Sequence, residues 1–336
     1  MPRSSITIRD VAEHAGVSHQ TVSRVINASE NVKPETRSKV EASINELGFR
    51  PNAIARFMAR GRSQTLACIS PNLTDFTFAR IIEGAEIECR NLGYFLLSTS
   101  APDEETFASL LDELITSRRT EGLLVINPFA DGRYKLLSGI EPVVFVGARP
   151  REDAAHSVAL DDVASGQDAT QHLLDLGHRK IGMVTGPMVE DCTQDRQAGY
   201  RAALHDAGIE YDTRFVAAGD WSAISGYAAF KRIAAKGELP TAIFAQNDQM
   251  AVGVIRAARE AGLNVPNDLS VIGVDDMPLG SYFDPPLTTM RQDLFQIGRK
   301  AARLLTRALE STEVGEEQHL ISAELVIRNS TTSFSN

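Results

Sequence analysis

The chain has 336 residues, 43% of them hydrophobic and 23% charged, with a formal charge of −10. That length suits two or three domains, and the composition is that of an ordinary globular protein rather than a fibrous, disordered or disulfide-stapled one. No apolar run is long enough to cross a bilayer and the N-terminus lacks a signal-peptide core, so a cytoplasmic protein is expected.

Residues 7–27 read TIRDVAEHAGVSHQTVSRVIN. Ile8, Val11, Ala12 and Ala15 form one apolar helical stripe; Val22, Val25 and Ile26 form a second, with Val17 just ahead of it. Gly16 supplies the turn between them, and Ser18 is placed to cap the second helix. This is a helix-turn-helix pattern. The second helix turns His19, Gln20, Thr21, Ser23 and Arg24 outward, side chains that bond base edges or phosphates. A third helix begins at Pro34, turns Val40, Ile44 and Leu47 inward, and ends at Gly48. A DNA-binding domain over 1–48 is expected.

Residues 49–63, FRPNAIARFMARGRS, read as a hinge helix or linker. Asn52 can cap a short helix running through Arg60. Two or three turns alone are marginal in water. Because Ile54, Phe57 and Met58 accompany the basic residues, the segment is expected to fold against DNA and a partner chain rather than serve as a plain tether. Charge divides at the same place. Residues 1–62 carry ten Lys or Arg against six acids, about +4, which leaves −14 to the remainder. An acidic body would keep phosphate at the basic end.

From Leu66 the pattern alternates between strands and helices. Apolar runs occur at 66–70, 94–100, 122–127 and 143–147, then again at 180–186, 214–219, 241–246 and 270–276. Near-continuous apolar strands joined by crossover helices predict parallel sheets covered on both faces. Two groups of four strands predict two doubly wound α/β subdomains with a cleft between them. Ligands in such folds bind beyond the carboxyl ends of strands. An amphipathic helix over 293–309 and a strand-like run over 322–331 close the chain.

The head motif, the hinge PNAIARFMARG, and the segments GDWSAISGY (219–227), NDQMAVG (247–253), VIGVDD (271–276) and PPLTTMRQD (285–293) together resemble the LacI family of bacterial transcription regulators over nearly the whole length. The body segments are most similar to the family's lactose repressor. The resemblance implies an all-α helix-turn-helix head, a hinge, and a periplasmic-binding-protein-like effector and dimerisation core over 64–336. Its N-subdomain would take about 64–160 and 292–320, its C-subdomain about 161–291 and 321–331. It also implies a homodimer on pseudopalindromic operator DNA, without the lactose repressor's C-terminal tetramerisation helix.

The resemblance carries roles to particular residues. Positions matching His19, Gln20 and Arg24 contact bases; His19 stands where the lactose repressor has Tyr. Thr7, Ser18, Thr21, Ser23, Asn27 and Asn31 would hold phosphates, with a base edge the alternative for Asn31. Asn52, Ala55 and Met58 would enter the minor groove, Met58 replacing the family's usual Leu wedge. Arg196, Trp221, Asn247, Asp275 and Gln292 coincide with effector contacts. Asn72, Asp75 and Phe78 would line the opposite wall. Core packing competes for Trp221, and helix capping for Asp75. Two departures stand out. Gly147 replaces a carboxylate and Leu294 replaces a Phe, so the likeness does not specify lactose.

Other classes have little support. No G-x-S-x-G, P-loop, G-x-G-x-x-G or H-E-x-x-H is present, so no catalytic residue, cofactor or metal is expected and the chain does not read as an enzyme. His178 reads as structural. Cys68, Cys89 and Cys192 are scattered and read as small buried hydrophobes in a reducing compartment. The expected function is a sequence-specific repressor released from its operator by a small saccharide. A corepressor-dependent regulator of the same family is the alternative, and a sugar-binding protein without DNA is the more remote one.

Overall fold

The computed structural model describes residues 6–27, 31–50, 62–117, 119–129, 131–140, 142–147, 156–310, 315 and 317–334. The chain divides into two compact units, Met1–Gln64 and Thr65–Asn336. The expected hinge contacts Asn52, Ala55 and Met58 lie outside the described residues.

The first unit packs three helices, α1 (Ile8–Ala15), α2 (His19–Ile26) and α3 (Pro34–Leu47). Thr7 and Asp10 form a reciprocal capping box at the start of α1. Gly16 ends that helix at φ +63°, the left-handed turn that favours glycine. Ser18 Oγ then accepts from Thr21 N at 3.1 Å and starts α2. Val11, Ala15, Val22, Val25 and Val40 bury one small core among the three helices. His14 Nδ1 lies 3.0 Å from Ser43 Oγ and joins α1 to α3.

The second unit contains two sheets. The first is built from β1 (Thr65–Ser70), β2 (Phe95–Ser100), β3 (Leu123–Ile126), β4 (Val143–Val146), β5 (His156–Leu160) and β11 (Glu317–Ile321). Its strands are parallel and ordered β11-β5-β4-β3-β1-β2. The second contains β6 (Ile181–Thr185), β7 (Val216–Ala218), β8 (Ala242–Ala245), β9 (Ser270–Asp275), β10 (Thr288–Arg291) and β12 (Glu324–Val326). Its order, β12-β10-β9-β8-β6-β7, repeats the first, with β12 antiparallel to β10.

Each sheet therefore has six strands among the described residues, not the four expected from the apolar runs. The unforeseen strands are short. β10 reads TTMR and β11 reads EQHLI, with little apolar character, and β5 reads HSVAL, buried but with only three apolar residues after His156 and Ser157. The run over 322–331 is not one strand either. Only β12 pairs in the ladder, and beyond it Ser330 bonds Val271 through its carbonyl and its hydroxyl and accepts from Thr288 N.

The chain crosses between the sheets after β5, after β10 and after β11. The crossover helices pack at close range. Helix Leu294–Glu310 lies against helix Phe76–Asn91, where a Cβ on Gly298 would stand 1.9 Å from Ile81 O. Helix Asp162–Asp175 lies against helix Asp191–Asp206, where a Cβ on Gly166 would stand 2.2 Å from Arg196 O. Only glycine permits backbones to approach so closely.

Candidate functional site

The first unit presents one polar helix face. His19, Gln20 and Arg24 of α2 are exposed, and Thr21 and Ser23 are half-buried beside them. The hydrophobic face of α2 is spent on the core, so these side chains are held outward on a fixed helix. Thr7 and Ser18 are engaged as caps, and Asn27 closes α2 with Nδ2 3.4 Å from Ser23 Oγ. Thr7 and Ser18 stand at helix N-termini, a usual place for phosphate contacts. Asn31 is exposed.

In the second unit, matching strand order in the two sheets sets up matching switch points. Each sheet reverses its winding beside its first strand, β1 or β6. The carboxyl ends of strands from both sheets open onto one cavity of about 140 Å³. Asn72, Asp75, Phe78, Arg196, Trp221, Asn247, Asp275 and Gln292 all line it, as does Gly147. Leu294 is buried instead in the core of the first sheet.

The polar residues of the cavity are held by neighbours. Arg196 is 5% exposed; its Nε donates to Asp162 Oδ1 at 2.8 Å and its Nη1 to Gln246 O at 2.6 Å. Asn247 caps helix Asp248–Glu260 through Met250 N, and its Nδ2 donates to Trp221 O at 2.9 Å. Gln292 Nε2 donates to Asp275 Oδ1 at 3.3 Å, which leaves the buried Gln292 Oε1 without a partner. A buried acceptor left open is costly, and a ligand donor would satisfy it. Asp75 is the cap of helix Phe76–Asn91, accepting from Thr77 N and Phe78 N. Asn72 Oδ1 accepts from Thr74 N and Asp75 N, so its carbonyl shapes the loop while its amide stays available.

Backbone strain is concentrated here. Trp221 lies at φ +73°, Asp275 at +118° and Asp276 at +54°. Such conformations cost of order 1–3 kcal/mol each in non-glycine residues and persist where surrounding contacts enforce them. The twist separates the two aspartates. Asp275 enters the cavity, while Asp276 pairs with Arg291 and Arg328.

Electrostatics follow from burial. Four carboxyls, Asp75, Asp162, Glu190 and Asp275, face one guanidinium, Arg196. Burial pushes Asp275 well above the usual carboxylate range, and the neighbouring Asp248 adds to the shift against the pull of Arg196. Burial also raises Asp162 and Glu190, opposed by Arg196 and by the Trp221 indole respectively.

Several cavity residues escaped the sequence reading. Asp162, Glu190, Phe129 and Cys192 line the cavity, and Gln246 and Asp248 brace it. Glu190 and Phe129 follow β6 and β3, so the rule that ligands sit beyond strand ends was the available signal. Asp162 was hidden behind Asp161, which caps the same helix. Gln246 and Asp248 act from beneath the surface, and no local pattern marks them. His178 has the structural part expected of it, bridging Thr241 and Ser270.

Comparison with known proteins agrees with both units. Residues 7–52 match the bacterial regulatory proteins of the lacI family, and residues 170–331 match the periplasmic binding protein-like domain. The HTH-type transcriptional repressor CytR of Escherichia coli (strain K12) is 34% identical over 331 residues, covering 98% of this chain and 97% of that protein. Catabolite control protein A of Priestia megaterium is 34% identical over 331 residues, covering 97% and 99%. Among solved structures, the Lac repressor dimer bound to operator and the anti-inducer ONPF matches with a TM-score of 0.90 at 30% identity, over 98% of this chain and 100% of that one. The complex of the transcriptional regulator CelR with cellobiose matches with a TM-score of 0.74 at 30% identity, over 97% and 99%. The exposed face of α2, the paired α/β sheets and relatives aligned from end to end have one reading: the chain belongs to the LacI family and is a helix-turn-helix transcriptional regulator with a periplasmic-binding-protein-like body.

Proposed function

We propose that the protein is a dimeric, cytoplasmic repressor, released from a pseudopalindromic operator when a small saccharide closes the cavity of its body. The observation that carries the reading is the convergence of Arg196, Trp221, Asn247, Asp275 and Gln292, from five separate segments, on one cavity. Trp221 offers a flat apolar wall to the C–H face of a sugar ring. Asp275 and the open Gln292 Oε1 accept from hydroxyls, and Arg196 donates to them. With four carboxyls around one guanidinium, a neutral polyol is favoured over a phosphorylated one. The solved complex of the relative CelR with cellobiose supports the ligand class. On the DNA side, His19, Gln20 and Arg24 read bases from the major groove, Arg24 by the bidentate fork that suits guanine. Thr7, Ser18, Thr21, Ser23, Asn27 and Asn31 fix the register on phosphates.

The mechanism is a population shift. A ligand bound by both sheets stabilises their closed arrangement and makes the operator-bound form less favourable. The test is a thermal-shift series with mono- and disaccharides, sugar phosphates and purines, followed by operator retardation with any hit. A neutral saccharide should raise the midpoint and release operator, and both effects should vanish in Trp221→Ala. Tighter operator binding with the same ligand would make it a corepressor. A response confined to purines or phosphates would refute the saccharide assignment.

A further inference from the structure

The loop after β6 touches both halves of the body. Asp191 N donates to Pro128 O at 2.8 Å, and Glu190 forms an isolated antiparallel bridge with Phe129. Pro128 and Phe129 follow β3 and belong to the first sheet; Glu190 follows β6 and belongs to the second. The Glu190 side chain then turns back. Its Oε1 accepts from Trp221 Nε1 at 3.0 Å. The Glu190–Asp191 step thus holds the opposite half through the Asp191 amide, and the Glu190 carboxyl holds the aromatic wall.

Both ends of this link are anchored. Trp221 is fixed at its backbone by Asn247 Nδ2, and its ring packs over Gly186, where a Cβ would stand 2.2 Å from the six-membered ring. With the carbonyl and one ring edge fixed, the remaining freedom of the indole is rotation about its side-chain torsions. The bond to Glu190 removes it. On the other side, the Arg133 guanidinium lies 4.5 Å from the Phe129 ring centroid and bonds Ala101 O and Pro102 O beyond β2. The bridge therefore rests on the first sheet rather than on a loose loop.

We infer that Glu190 is a positioning residue that locks the Trp221 indole to the opposite half of the body, so that the stacking wall and the cross-cavity bridge form and break together. This rests on the cavity being the effector site. It adds a means by which a ligand at Trp221 is felt across the cavity: re-aiming the indole breaks the Glu190 bond and frees the bridge at Phe129. Partial burial of the Glu190 carboxyl strengthens the link, because solvent competes less for a hydrogen bond that is partly shielded from water.

The test uses ligand-free full-length protein, so it stands apart from the saccharide assignment. Hydrogen exchange is followed at the Asp191 amide, which donates across the cavity, in the wild type, Glu190→Gln, Glu190→Leu and Trp221→Phe. The chain's single tryptophan reports ring environment by its emission and by acrylamide quenching. Glu190→Gln keeps an acceptor and should retain wild-type exchange and quenching. Glu190→Leu should exchange about five- to tenfold faster at Asp191, the scale of one hydrogen bond, with a red-shifted and more quenchable indole. Trp221→Phe keeps an aromatic ring but removes the donor, and it should speed Asp191 exchange by a similar factor. Unchanged Asp191 exchange in Trp221→Phe would overturn the coupling even if Glu190→Leu loosens its own loop or fails to fold. Unchanged emission in a folded Glu190→Leu would overturn the positioning role.

Discussion

The two halves of the body share a strand order and divide the work. The first half delivers mostly apolar surface to the cavity, through Pro71, Phe76, Phe78, Pro128, Phe129 and Leu160. Of its polar contributors, Asn72, Asp75 and Thr77, the first two largely serve their own loop and helix. Glu190, Arg196, Trp221, Asn247, Asp275 and Gln292 come from the second half. The buried carboxyls pushed upward by desolvation, Asp162, Glu190, Asp248 and Asp275, lie on that side as well. The buried Glu88 of the first half is the reverse case. Hydrogen bonding to Arg303, with help from Arg299, holds its carboxyl below the usual range and away from the cavity. One topology can thus supply a lid or a recognition surface, depending on what the sequence places at strand ends.

The sharpest way to break this division is Arg196→Ala. It would strand Asp162 and the Gln246 carbonyl in the interior, and the body should lose about 3–5 kcal/mol in denaturant unfolding. The double change Arg196→Met with Asp162→Leu should recover most of that loss yet remain deaf to effector, separating stability from recognition. Next comes pH. Burial pushes Asp248 up to about 7, against the hydrogen bonds from Thr289 and Met277, whereas the unfolded carboxyl titrates near 3.8. A raised carboxyl favours the folded state while protonated, so its contribution is complete below about pH 4 and is lost as pH rises through about 7. Asp248→Asn should flatten that part of the thermal-midpoint profile. An unaltered slope would show that Asp248 titrates as it does in the unfolded chain.

Matched glycines sharpen the comparison at smaller scale. Ala in a free helix is about 1 kcal/mol better than Gly. Yet a Cβ on Gly166 would meet Arg196 O at 2.2 Å, and one on Gly84 would meet Phe295 O at 2.1 Å. Gly166→Ala and Gly84→Ala should each destabilise by about 1–3 kcal/mol through overpacking. Only the first should also weaken the effector response, because it displaces the backbone that carries Arg196. The smallest effect belongs to Asp75→Ala. Loss of a helix cap should cost about 1 kcal/mol in the same unfolding assay.

Periodicity made the head and the central strands legible. The turn at Gly16, the cap at Ser18 and the stripes around Val11 and Val22 are local signals, and they recur in the fold with their roles intact. Of the edge strands, β2, β7 and β12 fall in runs legible in the sequence, whereas β11 was not, because it depends on its partner β5 more than on its own composition. In the cavity, the eight residues suggested by family resemblance do share one space. What the sequence hid was the supporting layer. Asp162 and Gln246 are buried polar residues whose meaning lies in Arg196, thirty-four and fifty positions away in the chain. Glu190 looks like any loop acid until its neighbour Trp221 is known.

The three crossings between the sheets carry a consequence for synthesis. The first sheet gains its edge strand β11 and its packing helix Leu294–Glu310 only from the last part of the chain. A nascent chain emerging from the ribosome therefore holds an incomplete first sheet until nearly all of the body has been made. The head is contiguous and has its own core, so it can fold as soon as it emerges. The helix-turn-helix head is thus finished well before the body.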